Sequence, residues 1–148
     1  MKREIRTLEV KDLPAAIKLI ETVFMAFEAP DYDVAGVEEF MNYIQLESLA
    51  EKITSGKFRV WGCFDNQRLI GVIAMRPPAH IALLFVDAGY HRQGIAGALF
   101  NEVKKDYPSP ITVNSSPYAE AAYEKLGFTK TSDVQKINGM LFIPMIHN

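Results

Sequence analysis

Tyr90-His91-Arg92-Gln93-Gly94-Ile95-Ala96-Gly97-Ala98-Leu99 is the stretch whose reading decides the fold. An apolar run at 81–86 precedes it, and a helical pattern follows it to Lys105. A strand, a glycine-containing turn and a helix start together make an anion cradle. The first N–H groups of a helix have no internal partners, and the helix dipole favours negative charge there. Small residues let a bulky anion approach the backbone closely. The run therefore reads as a site for a phosphorylated ligand.

The rest of the chain bounds what that ligand serves. With 148 residues, about half of them apolar, the chain suits one domain, 1–148, with a real core. A net charge of −2 gives no reason to expect nucleic acid or an anionic membrane as partner. Cys63 is the only cysteine, so no internal disulfide forms and a reducing cytoplasm is the expected compartment. The charged start (Lys2, Arg3, Glu4, Arg6) lacks the apolar core of a signal peptide. No stretch approaches the ~20 apolar residues of a membrane span. No metal-ligand set is expected.

Outward from the turn, residues 5–10 read as a first strand. Asp12 suits an N-cap, with Pro14 in the first helical turn. Leu13, Ile17, Ile20, Phe24 and Phe27 then recur with amphipathic helical spacing until Ala29-Pro30 breaks it. Val37, Phe40, Met41 and Ile44 mark a second helix, and 48–53 a short third. Residues 58–64 and 69–75 read as a hairpin across Asp65-Asn66-Gln67, ended by Pro77-Pro78. The 81–86 run is apolar on both faces, as in a central strand. Ile95, Leu99 and Val103 give a helix face, and 111–113 a short buried strand. Ser116 as N-cap, Pro117 as first helical residue and Gly127 as C-terminal glycine bracket another helix. Residues 140–146 read as a last strand whose Pro144 favours an edge or bulge; its Leu141, Phe142 and Ile143 suit a buried sheet edge or a homodimer contact. The pattern defines an α/β (α+β layered) fold with a mixed, mostly antiparallel sheet flanked by helices.

Two nucleotide motifs fail at the turn. There is no Gly-x-x-x-x-Gly-Lys-Ser/Thr, and Gly94 and Gly97 lack the leading glycine of Gly-x-Gly-x-x-Gly. The run instead resembles the acetyl-coenzyme A signature Gln/Arg-x-x-Gly-x-Gly/Ala of the GCN5-related N-acetyltransferase (GNAT) superfamily. Gly94 and Ala96 fit it, while His91 departs from the usual Gln or Arg, with Arg92 beside it. A second block, Val113-Asn114-Ser115-Ser116-Pro117-Tyr118-Ala119 then Tyr123-Glu124-Lys125-Leu126-Gly127-Phe128, is similar to the superfamily's later strand and its Tyr-x-x-x-Gly-Phe helix ending.

The resemblance implies a single GNAT-like domain in which central strands splay to form an acyl-CoA cleft. It implies that backbone N–H groups of Gln93, Gly94, Ile95, Ala96, Gly97 and Ala98, with His91 and Arg92, hold the pyrophosphate. Leu84, Phe85 and Val86 would offer backbone groups to the pantetheine arm, and Asn114 a side chain. A primary amine, on a small molecule or a peptide, would attack acetyl-CoA directly in a ternary complex. Tyr123 is then the candidate general acid, although its spacing to Phe128 equally suits a structural helix closure. Asn114 is otherwise a turn residue, and Ser116 is read as a cap. The 81–86 strand carries no carboxylate, so Glu28, Asp31, Asp33 and His80 remain as candidate bases, with Glu28 and His80 first. Cys63 has no His or Asp nearby in sequence and is read as a packed thiol.

No Lys or Arg stands between Lys18 and Lys52, whereas Glu21, Glu28, Asp31, Asp33, Glu38, Glu39, Glu47 and Glu51 do. This stretch is either a set of solvated helix faces or a field that gathers a cationic amine. Two alternatives to an N-acetyltransferase remain: a catalytically inactive acyl-CoA-binding or sensor module of the same fold, and an unrelated phosphate-binding α/β domain.

Overall fold

The computed structural model describes residues 3–108 and 110–148. Eight strands form the sheet: β1 (Arg3–Thr7), β2 (Arg59–Asp65), β3 (Arg68–Arg76), β4 (His80–Val86), β5 (Ile111–Ser115), β6 (Thr129–Lys130), β7 (Gln135–Ile137) and β8 (Met140–His147). Their order is β1-β2-β3-β4-β5-β8-β6, with β7 paired to β8 beside β6. Only β4 and β5 run parallel. The fold is therefore the expected layered one, with a mostly antiparallel sheet between helices.

Helices α1 (Leu13–Phe27), α2 (Val34–Tyr43) and α3 (Leu46–Thr54) cover one face. The periodic residues Leu13, Ile20, Phe24 and Phe40 pack there on Val60, Val72, Leu83 and Phe85. Helix α4 (Ile95–Lys104) and the short α5 (Glu120–Lys125) cover the other face. Here Ile95, Leu99 and Val103 bury against Trp61, Ile70 and Ile73. Strand β4 contributes to both cores, as a central strand must, and so reads as continuously apolar. Cys63 is buried in the second core, and burial pushes its thiol pKa up.

Three local expectations are corrected. The first strand ends at Thr7, because Val10–Asp12 turns as a 3-10 helix. Asp12 does not cap α1; its carboxylate accepts from Glu9 N at 2.8 Å and pairs with Arg6 at 3.2 Å. Helix α5 starts at Glu120 rather than Pro117, since residues 116–119 form a separate turn in which Ser116 Oγ accepts from Ala119 N at 3.1 Å. Its C-terminal end is as read: Gly127, at φ 103°, and Phe128 donate back to Glu124 O and Tyr123 O, both at 3.0 Å.

The last strand is not an edge. β8 pairs with β5 on one side and with β6 and β7 on the other. Pro144 O accepts from Thr131 N at 2.9 Å, so the side of Pro144 that lacks an N–H faces the break between β6 and β7. The apolar residues that suggested a second copy are used within the chain. Ile143 is core, while Leu141 and Phe142 line a cavity.

Candidate active site

β4 and β5 pair only at His80↔Thr112 and Ile81↔Val113. Ala82 has no partner on β3, because Met75 faces Ile81 and Ala74 faces Leu83. Such a bulge bends its strand, and it sits where β4 leaves β5. Asp87 N donates to Ile70 O at 2.8 Å. Ladder alternation then turns the backbone of Phe85 to β3 and that of Leu84 and Val86 to the gap. Val86 O is taken by His91 Nε2–H at 2.8 Å. Both polar groups of Leu84 and the N–H of Val86 are left facing the opening. Such groups invite an extended ligand to pair with them.

At the far end of β4 lies the glycine turn. Arg92 and Gly94 are left-handed, at φ 64° and 80°. The first helical bond of α4 runs from Ala98 N to Gly94 O at 2.9 Å, so the N–H groups of Ile95, Ala96 and Gly97 precede the ladder. A Cβ on Gly94 would meet nothing within 4 Å, which leaves the approach to these N–H groups open. His91 is engaged within the chain. Its ring lies 5.1 Å from that of Phe27, and with its bond to Val86 it ties the turn to β4. The Gln93 side chain is held by Arg3 and, at 3.4 Å, by Gly89 O. Arg92 and Ala98 are exposed.

A cavity of about 620 Å³ opens at the gap, and Glu28, His80, Leu84, Phe85, Asn114 and Tyr123 all line it. Chain segments far apart in sequence thus bring three titratable groups to one space. Glu28 follows α1 and is half-buried. Loss of hydration pushes its pKa up to about 7, against a hydrogen bond from Ser116 that favours the carboxylate. Tyr123 packs edge-on against Phe128, with ring centroids 5.4 Å apart. Burial, and secondarily the Glu28 charge, push its phenol pKa well up. The phenol therefore stays protonated. His80 Nδ1 lies 2.8 Å from Thr112 Oγ1. Burial and then the Arg76 charge push His80 down to about 4, so its ring is neutral near pH 7.

The other acidic residues divide. Of the acidic residues between Lys18 and Lys52, all of them described, only Glu28 and Glu39 line the cavity. Asp31 is exposed, and Asp33 pairs with Lys136 at 2.7 Å. Sequence reading missed Arg76 as a lining residue, together with the β7–β8 hairpin that brings Asn138 and Met140 to the rim. The hairpin was signalled by Asn138-Gly139, both left-handed as a two-residue turn requires. Arg76 carried no signal, since an arginine before Pro77-Pro78 looks like an ordinary strand end. Ser116 was read as a cap alone, yet it lines the cavity too.

The acetyltransferase (GNAT) domain profile matches residues 28–148, and the chain belongs to this family. An uncharacterized N-acetyltransferase of Escherichia coli K12, YafP, is 32% identical over 91 residues, which are 62% of this chain. The match spans 59% of that protein's length. The fold is shared with the PaiA N-acetyltransferase of Thermoplasma acidophilum, solved with coenzyme A (TM-score 0.80, 22% identity, covering 100% of this chain and 99% of that one). It is also shared with a GCN5-related N-acetyltransferase of Rhodopseudomonas palustris (TM-score 0.85, 17% identity, 100% and 96% covered). Among the described residues no group of His, Cys, Asp and Glu is arranged to hold a metal ion, and no helix is long and apolar enough to cross a membrane.

Proposed function

We propose that the protein transfers the acetyl group of acetyl-CoA to a primary amine by direct attack in a ternary complex. The observation that carries this is the convergence of Glu28 and Tyr123 on one cavity, where β4 and β5 part. One group is poised to take a proton near neutral pH, and the other stays protonated, so that it can donate a hydrogen bond to the departing sulfur.

The substrate pyrophosphate sits on the N–H groups of residues 93–98, with His91 bracing the turn and Arg92 beside it. The pantetheine arm lies along the open side of β4, paired with Leu84 and Val86 and reached by the Asn114 side chain. Phe85 shapes the floor with its position rather than its backbone. A gap-facing N–H of β4 polarises the thioester carbonyl and stabilises the developing oxyanion.

The neutral amine attacks the carbonyl carbon. A C–N bond forms, the C–S bond breaks, and the amine proton passes to the Glu28 carboxylate. The departing sulfur takes a hydrogen bond or proton from Tyr123. The products are an acetamide and the free thiol of CoA. Of the two leading bases we assign Glu28, because a base works best with a pKa near the operating pH, whereas His80 near 4 is a weak acceptor.

The test is thiol release from acetyl-CoA with a panel of primary amines, alongside calorimetry with CoA, ATP and NAD. Turnover that falls in Tyr123→Phe supports the proposal. CoA binding without turnover on any amine would make this an acyl-CoA-binding module. ATP binding without CoA binding would remove the assignment altogether.

A further inference from the structure

We infer that the acceptor is an amine that also carries a carboxylate, as an amino acid does, and that Arg76 receives that carboxylate. This rests on the proposed acetyl transfer. It adds the class of acceptor and a residue that selects it.

The chain has six arginines. Arg6, Arg59 and Arg68 pair with Asp12, Asp106 and Asp87 at 3.2, 3.0 and 3.2 Å. Arg3 holds Gln93. Of the six arginines, all of them among the described residues, only Arg76 and Arg92 have no ion pair or side-chain hydrogen bond. Arg92 stands at the anion turn. Arg76 stands at the opposite end of the cleft, where it ends β3 opposite His80 and lines the cavity. Among the described residues it is the only Lys or Arg that does so. A guanidinium there offers a planar pair of donors that matches a carboxylate.

The position suits an acceptor. The gap opens after Ile81, so the reacting carbonyl lies on β4 just beyond His80. Two residues along a strand are about 7 Å, a separation that a long arginine side chain covers. Arg76 is itself exposed at the cavity wall, and its charge reaches both His80 and Tyr43, two other lining residues. Phe40, Tyr43, Met140 and Phe142 supply an apolar wall for the remainder of the molecule. A diamine would set its second ammonium against Arg76. An amino acid instead sets its carboxylate there, while its amine faces Glu28.

The experiment uses the whole protein saturated with CoA. Calorimetry compares N-acetyl-L-amino acids, with apolar, polar and charged side chains, against their amides, which differ only in lacking the carboxylate charge. Thiol release from acetyl-CoA is measured in parallel with L-amino acids, their amides and the decarboxylated amines. At least one acid should bind 10-fold or more tightly than its amide. Arg76→Met should weaken the acid by about 10- to 100-fold and leave the amide and CoA unchanged. Arg76→Lys should restore part of the loss, because it keeps the charge but not the fork. Acid selectivity without any turnover would uphold the carboxylate site and overturn acetyl transfer. Three results would overturn the carboxylate site: no acid preference in any pair, including no binding at all; a preference unchanged in Arg76→Met; or equal kcat/KM for acids and decarboxylated amines.

Discussion

The Glu28 carboxyl, just past the end of α1, is hydrogen-bonded by the hydroxyl of Ser116, one residue beyond β5. The Ser116 oxygen itself accepts from Ala119 N at 3.1 Å, which leaves its proton for Glu28. That bond favours the carboxylate, but the loss of water outweighs it and holds the group near pH 7. One side chain is thereby tuned by two segments that the sequence keeps far apart.

The first consequence is a pH profile. kcat/KM should rise through pH about 7 as Glu28 loses its proton. Glu28→Gln should abolish that limb and lower kcat by about 10²-fold or more. Rates measured from pH 5 to 9 check both.

Stability should run the opposite way. Because the folded pKa of Glu28 lies above that of a free carboxyl, the folded state binds the extra proton. The associated stability is complete below the usual carboxylate pKa and is lost as pH rises through about 7. Denaturant titrations at pH 5 and 8 should show the wild type losing about 2–3 kcal/mol more than Glu28→Gln over that window.

Tyr123→Phe separates chemistry from packing. The ring still closes on Phe128, so the melting temperature should hold, while kcat falls by about 10²-fold and CoA affinity changes little. Tyr123→Ala should instead cost about 3–5 kcal/mol, because it empties a buried site. An unchanged kcat in the Phe variant would return Tyr123 to a purely structural role.

Helix α2 and the β7–β8 hairpin approach most closely at Gly36 and Gly139, where neither carries a side chain. A Cβ on Gly36 would stand 2.2 Å from Gly139 O, and Asp33 N donates to that oxygen at 3.2 Å. Gly36→Ala must therefore push the hairpin outward, at a cost of about 1–3 kcal/mol. Asn138 and Met140 move with it, so the acceptor KM should rise more than that of acetyl-CoA. Thermal unfolding and the two KM values test this.

The anion turn can be probed at two glycines. Gly97→Ala meets only Leu126 Cδ2, at an ordinary 3.6 Å, so the variant should fold as well as the parent. Any loss of CoA affinity then reports a Cβ obstructing the phosphate. Gly94→Val adds about 1–2 kcal/mol of backbone strain at its left-handed φ, and should lose both stability and CoA binding. Calorimetry with CoA and a melt of each variant distinguish the two effects.

Much of the architecture was legible. The spacing of Leu13, Ile20 and Phe24 marks α1, the apolar 81–86 run marks the central strand, and Gly127 closes α5, because periodicity and turn chemistry act within a few residues. Asn138-Gly139 carried the hairpin signal, but the strand before it, Gln135–Ile137, is short and polar enough to hide it. Part of the cavity lining was legible too: Glu28 and His80 were named from residue types, Asn114 and Tyr123 from the family resemblance, and all four line one cavity. Arg76 and the second role of Ser116 were not, because nothing local distinguishes them.

The sequence by itself determined the elements, the glycine turn and the family pattern, all of which are short-range properties of the chain. Tertiary structure decided which carboxylates count. Glu28 and Asp33 look alike in the acidic stretch, yet one is half-buried beside Ser116 and shifted to about 7 while the other pairs with Lys136 on the surface. It also decided that β4 leaves β5 at Ile81, which opens the cavity. Burial and strand divergence arise from contacts between distant segments, and hydration, on which a pKa depends, is set only once those segments have met.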